Sequence, residues 1–205
     1  PRKERLDLAK KFVKAGCVSV AYSLESGSDE ILKVMNKKIE SKYFKEQVHI
    51  CREAGLVTNT SLVIGYPQET SETISHTMSQ LEKLKVYPST GFLLPLPETG
   101  MWNHAIENNY IKDIDSYLTQ ITERQDFSLN MTEMSEEDLK SETLEWLKRL
   151  NKNFNYNVKQ EALIKTGGAD NHSKHQENKQ RKEILDRNRT TKDSLNYAAQ
   201  KGTLR

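Results

Sequence analysis

This sequence is poor in the residues that staple or ligate. Its 205 residues hold two cysteines, Cys17 and Cys51. That number excludes a disulfide framework and makes a reducing, cytoplasmic setting the default. Neither cysteine has a cysteine neighbour, so both read as small buried hydrophobes and not as iron or zinc ligands. Among the five histidines, His49, His76 and His104 fall in segments of helical periodicity. Only His172 and His175 stand close enough to act together, and surface placement is expected for all five. No run of eighteen apolar residues exists, so no membrane span is expected. There is no N-terminal signal segment, and the first residue is Pro1 and not Met. The chain therefore reads as a fragment or a processed product. A net charge of +2 argues neither for nor against nucleic acid. With 35% hydrophobic and 29% charged residues, the composition is polar for a globular protein. Part of the chain is expected to lie outside the core.

What is present is an alternation of helical and extended segments. Leu6, Ala9 and Val13, widened by Phe12, predict a helix over 2–15 that Gly16 stops. Residues 17–24 read as a strand. Asp29 is a cap candidate for a short helix to about Met35, and Ser41 for a helix over 42–54. That second helix buries Phe44, Val48 and Cys51 and closes at Gly55. Residues 56–64 read as the second strand. Glu69 or Ser71 opens a helix with Ile74, Met78 and Leu81 on one face, and Pro88 ends the segment. Residues 90–94 read as the third strand, bounded by Pro95 and Pro97, and 101–108 as a short helix. Strands alternating with helices predict a parallel sheet with right-handed crossovers, at the strand interval of (β/α) barrel units.

Residues 115–134 carry no clear period. Ser135 and the acids Glu136, Glu137 and Asp138 then mark a helix start. Leu139, Leu144, Leu147 and Leu150 support that helix to about Asn153, with Ile164 as its furthest extent. Gly167-Gly168 breaks the pattern. Beyond it nine Lys and Arg face five Asp and Glu, and apolar residues are sparse, so 167–205 is expected to be a polar, solvated, disordered tail. The chain thus divides into 1–112, 113–166 and 167–205. Nucleic acid and membrane are not among the expected partners.

Strand alternation assigns faces. Val18, Val20, Tyr22 and Leu24 share one face of the first strand, and Ser19, Ala21, Ser23 and Glu25 the other. In the second strand Thr60, Leu62 and Ile64 oppose Asn59, Ser61 and Val63. Both strands therefore have a small, polar face, which points to an interior that holds a ligand. Glu25, at the end of that face, suits an ammonium or ribose hydroxyls. On spacing alone it serves equally well as a helix cap or a lysine partner. Gly65-Tyr66-Pro67 permits a sharp turn near a ligand, or an ordinary βα loop. Leu94-Pro95-Leu96-Pro97-Glu98 reads as a stiff connector.

Four segments in order resemble one superfamily. Tyr22 to Asp29, followed by Ile31 to Lys37, resembles the "GxESGSxxxLxxMNK" end of the fourth barrel strand in the radical S-adenosylmethionine (radical SAM) superfamily. Ala54-Gly55-Leu56 leading into Ser61 to Thr70 is similar to the fifth strand and its "GxPxET" turn. Pro95 to Trp102 is similar to the sixth-strand "PxPGTPLY" segment, and Met134 to Leu139 to "MSDEEL". The likeness covers about residues 5–150 and is nearest to the branch that carries an N-terminal cobalamin-binding domain. Departures are Ser61 and Glu98 in place of glycines and Met101 in place of a proline.

The resemblance implies an α/β fold: a partial (β/α)6 radical SAM barrel holding strands four to six with their helices, then a helical extension and a flexible tail. It implies S-adenosylmethionine contacts at Ser23, Glu25, Ser26, Ile64 and Gly65, with Leu94 and Pro95 beside the adenine. The family's CxxxCxxC motif is absent, so the ligands of its [4Fe–4S] cluster lie outside this chain and no metal site is expected within it. The implied parent cleaves S-adenosylmethionine reductively at that cluster to start radical chemistry, with cobalamin-dependent methylation as one branch. It would take a small-molecule substrate and electrons from a flavodoxin or ferredoxin. The chain alone is expected to be inactive. Two other classes are a noncatalytic interaction module derived from a barrel, and an unrelated (β/α) barrel enzyme using Glu25 and Glu98.

Overall fold

The computed structural model describes residues 2–121 and 127–164. Helix α1 (Arg2–Lys14) buries Ala9, with Leu6 and Val13 beside it, against Ile50, Cys51 and Leu56. Phe12 does not join this stripe and is 46% exposed. One residue before Val13, it lies about 100° round the helix from it. Gly16, at φ 93, then turns the chain into the sheet.

Strands β1 (Ser19–Glu25), β2 (Val57–Ile64) and β3 (Pro88–Phe92) form one parallel sheet in the order β1-β2-β3. The third strand begins two residues earlier than expected, at Pro88. Proline is tolerated as a first strand residue because no ladder donor is needed there. Ser19 pairs with Val57, Thr60 with Pro88 and Ile64 with Phe92. The register slips between Tyr22 and Glu25, where three steps along β1 match two along β2. This bulge re-aims the end of β1.

The expected faces are present. Thr58, Thr60, Leu62 and Ile64 are buried, while Asn59, Ser61 and Val63 are only half-buried. In β1, Leu24 is buried and Ala21 and Ser23 are exposed. The buried face packs on α3 (Ser41–Ala54), α4 (Ser71–Leu84) and α7 (Glu136–Asn153) through Phe44, Val48, Ile74, Met78, Leu81, Leu139, Leu147 and Leu150. The fully buried Leu139, Leu147 and Leu150 contribute about 1.5–3 kcal/mol each. The forked Arg149–Glu82 pair between α7 and α4, at 2.9 and 2.8 Å, stands mostly in solvent and contributes at most about 1 kcal/mol. Apolar contact therefore decides the seating of α7.

Three cap assignments change. Ser28, not Asp29, caps α2 (Asp29–Val34), accepting from Ile31 N. The Asp29 carboxylate instead accepts from Ser41 N at 2.7 Å and so starts α3, whose own cap Glu40 makes no side-chain bond. Thr70, not Glu69 or Ser71, caps α4 in a reciprocal box with Thr73. Helix α5 (Gly100–Glu107) follows Thr99, and α6 (Ile114–Gln120) lies largely within the stretch that carries no clear period. Helix α7 ends at Asn153. A 3-10 turn at Gln160–Ala162 follows, and Ile164 bridges in parallel to Thr90 on β3. The expected tail at 167–205 lies outside the described residues.

The outer edge of β3 is thus met by Ile164, whereas among the described residues nothing pairs with the outer edge of β1. An unpaired edge of seven residues templates association. Residues 1–205 produced alone should therefore elute in size-exclusion chromatography as a broad, oligomeric population. A monodisperse product that melts cooperatively contradicts this.

Candidate functional site

The carboxyl ends of the three strands surround a cleft of about 350 Å3 lined by Glu25, Met35, Lys37, Val63, Tyr66, Leu93, Leu94 and Leu96. Carboxyl ends of parallel strands are where ligands collect in α/β folds. A larger groove of about 810 Å3 runs between Phe92, Phe127, Leu144 and Ile164, rimmed by Glu136, Glu137 and Lys140. It lies along α7, and Glu136, Glu137, Lys140 and Ser141 give it polar groups of its own. The smaller cleft is the one lined from the ends of all three strands.

Glu25 closes β1 in the left-handed region, at φ 67, a conformation disfavoured for any residue with a Cβ. Its side chain is 15% exposed. One carboxylate oxygen lies 3.3 Å from Lys37 Nζ. The other, Oε2, is buried without a hydrogen-bond partner among the described residues. An unsatisfied buried acceptor costs about 1–3 kcal/mol. Lys37 is placed by the end of α2. Asn36 takes φ 54, and Lys37 N donates back to Leu32 O at 2.9 Å, a left-handed helix stop.

The second wall is the turn after β2. Gly65 takes φ 107, which a side chain would strain even though a Cβ would meet Leu139 and Leu93 only at ordinary contact distance, 3.8 Å. Gly65 N donates to Glu69 Oε2 at 3.1 Å, and Thr73 Oγ1 donates to Glu69 Oε1 at 3.3 Å. Glu69 is 1% exposed. Burial pushes its carboxyl up to about 7, against the lowering pull of the Gly65 and Thr73 donors. Burial, followed by the charges of Glu25 and Glu69, also raises the Tyr66 phenol, which stays protonated as a donor.

The residues singled out from the sequence separate into groups. Glu25 and Leu94 line the cleft. Gly65 shapes its second wall. Ser23 is exposed on the open face of β1. Ser26 is buried and turned toward α4, 3.3 Å from Thr77 Oγ1. The Ile64 side chain is in the core against the helices, and its carbonyl accepts from Leu93 N at 2.8 Å. Pro95 presents its carbonyl to Tyr117 OH at 3.0 Å. Glu98, considered as a partner of Glu25, is exposed and outside the cleft lining. Lys37, Tyr66 and Glu69 were not singled out. Their signals were present: Lys37 ends the Met35-Asn36-Lys37 run, and Glu69 follows Gly65 by four residues. Among the described residues no three His, Cys, Asp or Glu side chains converge to hold a metal.

Residues 2–81 match the radical SAM superfamily profile. An uncharacterized methyltransferase of Pyrococcus horikoshii is 32% identical over 105 residues, covering 51% of this chain and 23% of that protein. The tRNA-2-methylthio-N(6)-dimethylallyladenosine synthase of Desulfosudis oleivorans is 34% identical over 71 residues, covering 34% and 15%. The chain thus spans less than a quarter of the length of these relatives. Among solved structures, coproporphyrinogen III oxidase from Escherichia coli is similar at TM-score 0.49 with 19% identity, over 71% of this chain and 30% of that one. The methyltransferase TsrM from Kitasatospora setae is similar at TM-score 0.43 with 26% identity, over 50% and 21%.

Glu69 makes stability depend on pH. Its carboxyl is raised from 4.5 to about 7 on folding, so the folded state holds the proton more tightly than the unfolded chain. The resulting stabilisation is complete below about pH 4.5, falls between 4.5 and 7, and is gone above 7. A shift of that size corresponds to on the order of 3 kcal/mol. Urea unfolding at pH 5 and pH 8 should show wild type losing more stability than Glu69→Gln across this window. Equal losses in both proteins contradict the assignment.

Proposed function

We propose that this chain, whose residues 2–81 belong to the radical SAM superfamily, forms the S-adenosylmethionine-binding side of a radical SAM enzyme. The observation that carries this reading is the partnerless, buried Oε2 of Glu25 in a cleft that also holds Lys37. A carboxylate and an ammonium on one cleft complement the two charges of an amino acid. Glu25 would accept from the ligand's ammonium or a ribose hydroxyl, and Lys37 would pair with its carboxylate. Met35, Val63, Leu93 and Leu94 give apolar walls suited to a thioether-like chain and a purine, and Tyr66 adds a phenolic donor. The residues present therefore fit S-adenosylmethionine.

They do not fit an iron–sulfur cluster. Cys51 is buried beside Tyr22 OH at 3.5 Å, and Cys17 donates to Ser19 O. Neither lines the cleft. A [4Fe–4S] cluster, which this reading implies, would be held by residues other than those of this chain and would supply the reducing electron. The chain's own part is to bind the cofactor, orient it and exclude water from one side.

The relatives named as a methyltransferase and a methylthio-adenosine synthase favour transfer of a methyl or methylthio group as the outcome. Cobalamin belongs to the methyl-transfer branch of this proposal, and no residue here is assigned to it. The proposal also includes a small-molecule substrate, a flavodoxin or ferredoxin as reductant, and a cytoplasmic setting. No helix among the described residues is long and apolar enough to cross a membrane.

Equilibrium dialysis of labelled S-adenosylmethionine against the natural full-length protein tests the reading. A hydrogen bond to a charged group contributes about 1.5–3 kcal/mol, so Glu25→Gln should raise Kd about 10–100-fold. Lys37→Met should raise it about 10-fold. Wild-type affinity in both variants, or no binding by wild type, contradicts it.

A further inference from the structure

We infer that Thr77 and Gln80 on α4 are positioning residues that set the ligand-binding geometry of Glu25 by clamping the backbone of Gly27. This inference rests on the proposed role of Glu25. The turn Ser26-Gly27-Ser28 follows the bulged end of β1 and has left the sheet ladder, so its main chain needs other partners. Helix α4 supplies them. Gly27 N donates to Thr77 Oγ1 at 2.9 Å, and Gln80 Nε2 donates to Gly27 O at 2.9 Å. Both polar groups of one peptide residue are thus bonded by side chains one helical turn apart. Thr77 and Gln80 are both buried, so water does not substitute for them. Ser26 Oγ adds a third contact, 3.3 Å from Thr77 Oγ1, and accepts from Ser28 N at 3.2 Å. The same Gln80 Nε2 also stands 2.6 Å from His76 Nε2, which holds the amide group.

The fit is close. A Cβ on Gly27 would stand 2.9 Å from Thr77 Cα, a backbone atom that cannot swing aside. Helix and turn therefore touch main chain to main chain. Two residues earlier, Glu25 sits in a conformation that nothing in its own strand favours. A non-glycine residue stays at positive φ only when its surroundings over-determine it. Glu25 itself pairs with Leu62 in the ladder and with Lys37 through its carboxylate. The clamp on Gly27 fixes the chain two residues beyond, and so where the Glu25 carboxylate enters the cleft. The same helix is capped by Thr70, immediately after Glu69, whose carboxylate accepts from Gly65 N. One rigid element thereby spaces both turns that face the ligand.

The test reads S-adenosylmethionine affinity in the full-length protein. Thr77→Val removes the hydroxyl and keeps the shape, and should raise Kd about 10-fold. Thr77→Ser should restore it to within about 2-fold. In a Glu25→Gln background, Thr77→Val should add less than about 2-fold, because the group it positions is already changed. Gln80→Met should follow the same pattern and carries the test if Thr77→Val does not fold. Linkage gives a readout in the unmodified protein: a clamp that aids binding is tightened by binding. Hydrogen exchange at the Gly27 amide should therefore slow at saturating S-adenosylmethionine. Equal effects of Thr77→Val in both backgrounds, wild-type affinity in Thr77→Val and Gln80→Met, or unchanged Gly27 exchange overturns the inference while leaving Glu25 as a ligand. A wild-type protein that does not bind S-adenosylmethionine overturns both.

Discussion

Gly27 hydrogen-bonds to α4 through both its N–H and its C=O, and this pair of hydrogen bonds holds the turn that follows β1. A parallel strand hands its residues to a ladder, and the ladder fixes them. The ladder slips between Tyr22 and Glu25 and resumes only at Glu25, opposite Leu62. Beyond it Thr77 and Gln80, 50 and 53 residues further on, hold Gly27. Helix α4 can act as a reference because its own placement is overdetermined. Ile74, Met78 and Leu81 are fully buried against the sheet, and Leu139, Leu147 and Leu150 of α7 fill the same core. Burial on this scale, about 1.5–3 kcal/mol per side chain, exceeds the cost of one left-handed residue, about 1–3 kcal/mol. The core can therefore hold Glu25 in a conformation its own chain disfavours.

The two acids of the site differ in what surrounds them. Glu25 lines the cleft with one oxygen on Lys37 and the other, Oε2, buried without a hydrogen-bond partner among the described residues. Glu69 is sealed in and spends both oxygens on its own loop, one on Gly65 N and one on Thr73 Oγ1. It behaves as a strut, with its carboxyl pushed up to about 7 by burial. Similar residues near neighbouring strand ends thus divide into one that faces the cleft and one that is sealed in the fold. Exposure and partners, not residue type, make the division.

Much of this fold is legible in the sequence because local chemistry fixes it. Gly16 and Gly55 end helices where left-handed backbone is required, at φ 93 and 91. Alternation along β2 separates Thr60, Leu62 and Ile64 from Asn59, Ser61 and Val63, and the burial follows. What escapes is what depends on partners distant in sequence. Asp29 reads as a cap for its own helix, yet it bonds Ser41, twelve residues on. Ser26 reads as a ligand contact from its motif, yet the bulge turns it toward Thr77. Lys37 enters the cleft only because Asn36 reverses the chain after α2. Glu69 reads as a helix opener, since its tie to Gly65 requires the turn to be folded already.

The central claim is that Glu25 and Lys37 receive the amino-acid end of S-adenosylmethionine at the ends of β1 and β2. A crystal structure of the full-length protein with S-adenosylmethionine bound tests it most directly. The account predicts a donor of the ligand within about 2.7–3.2 Å of Glu25 Oε2 and its carboxylate directed at Lys37. Density for the ligand elsewhere, with Glu25 still contacting Lys37 alone, would contradict it.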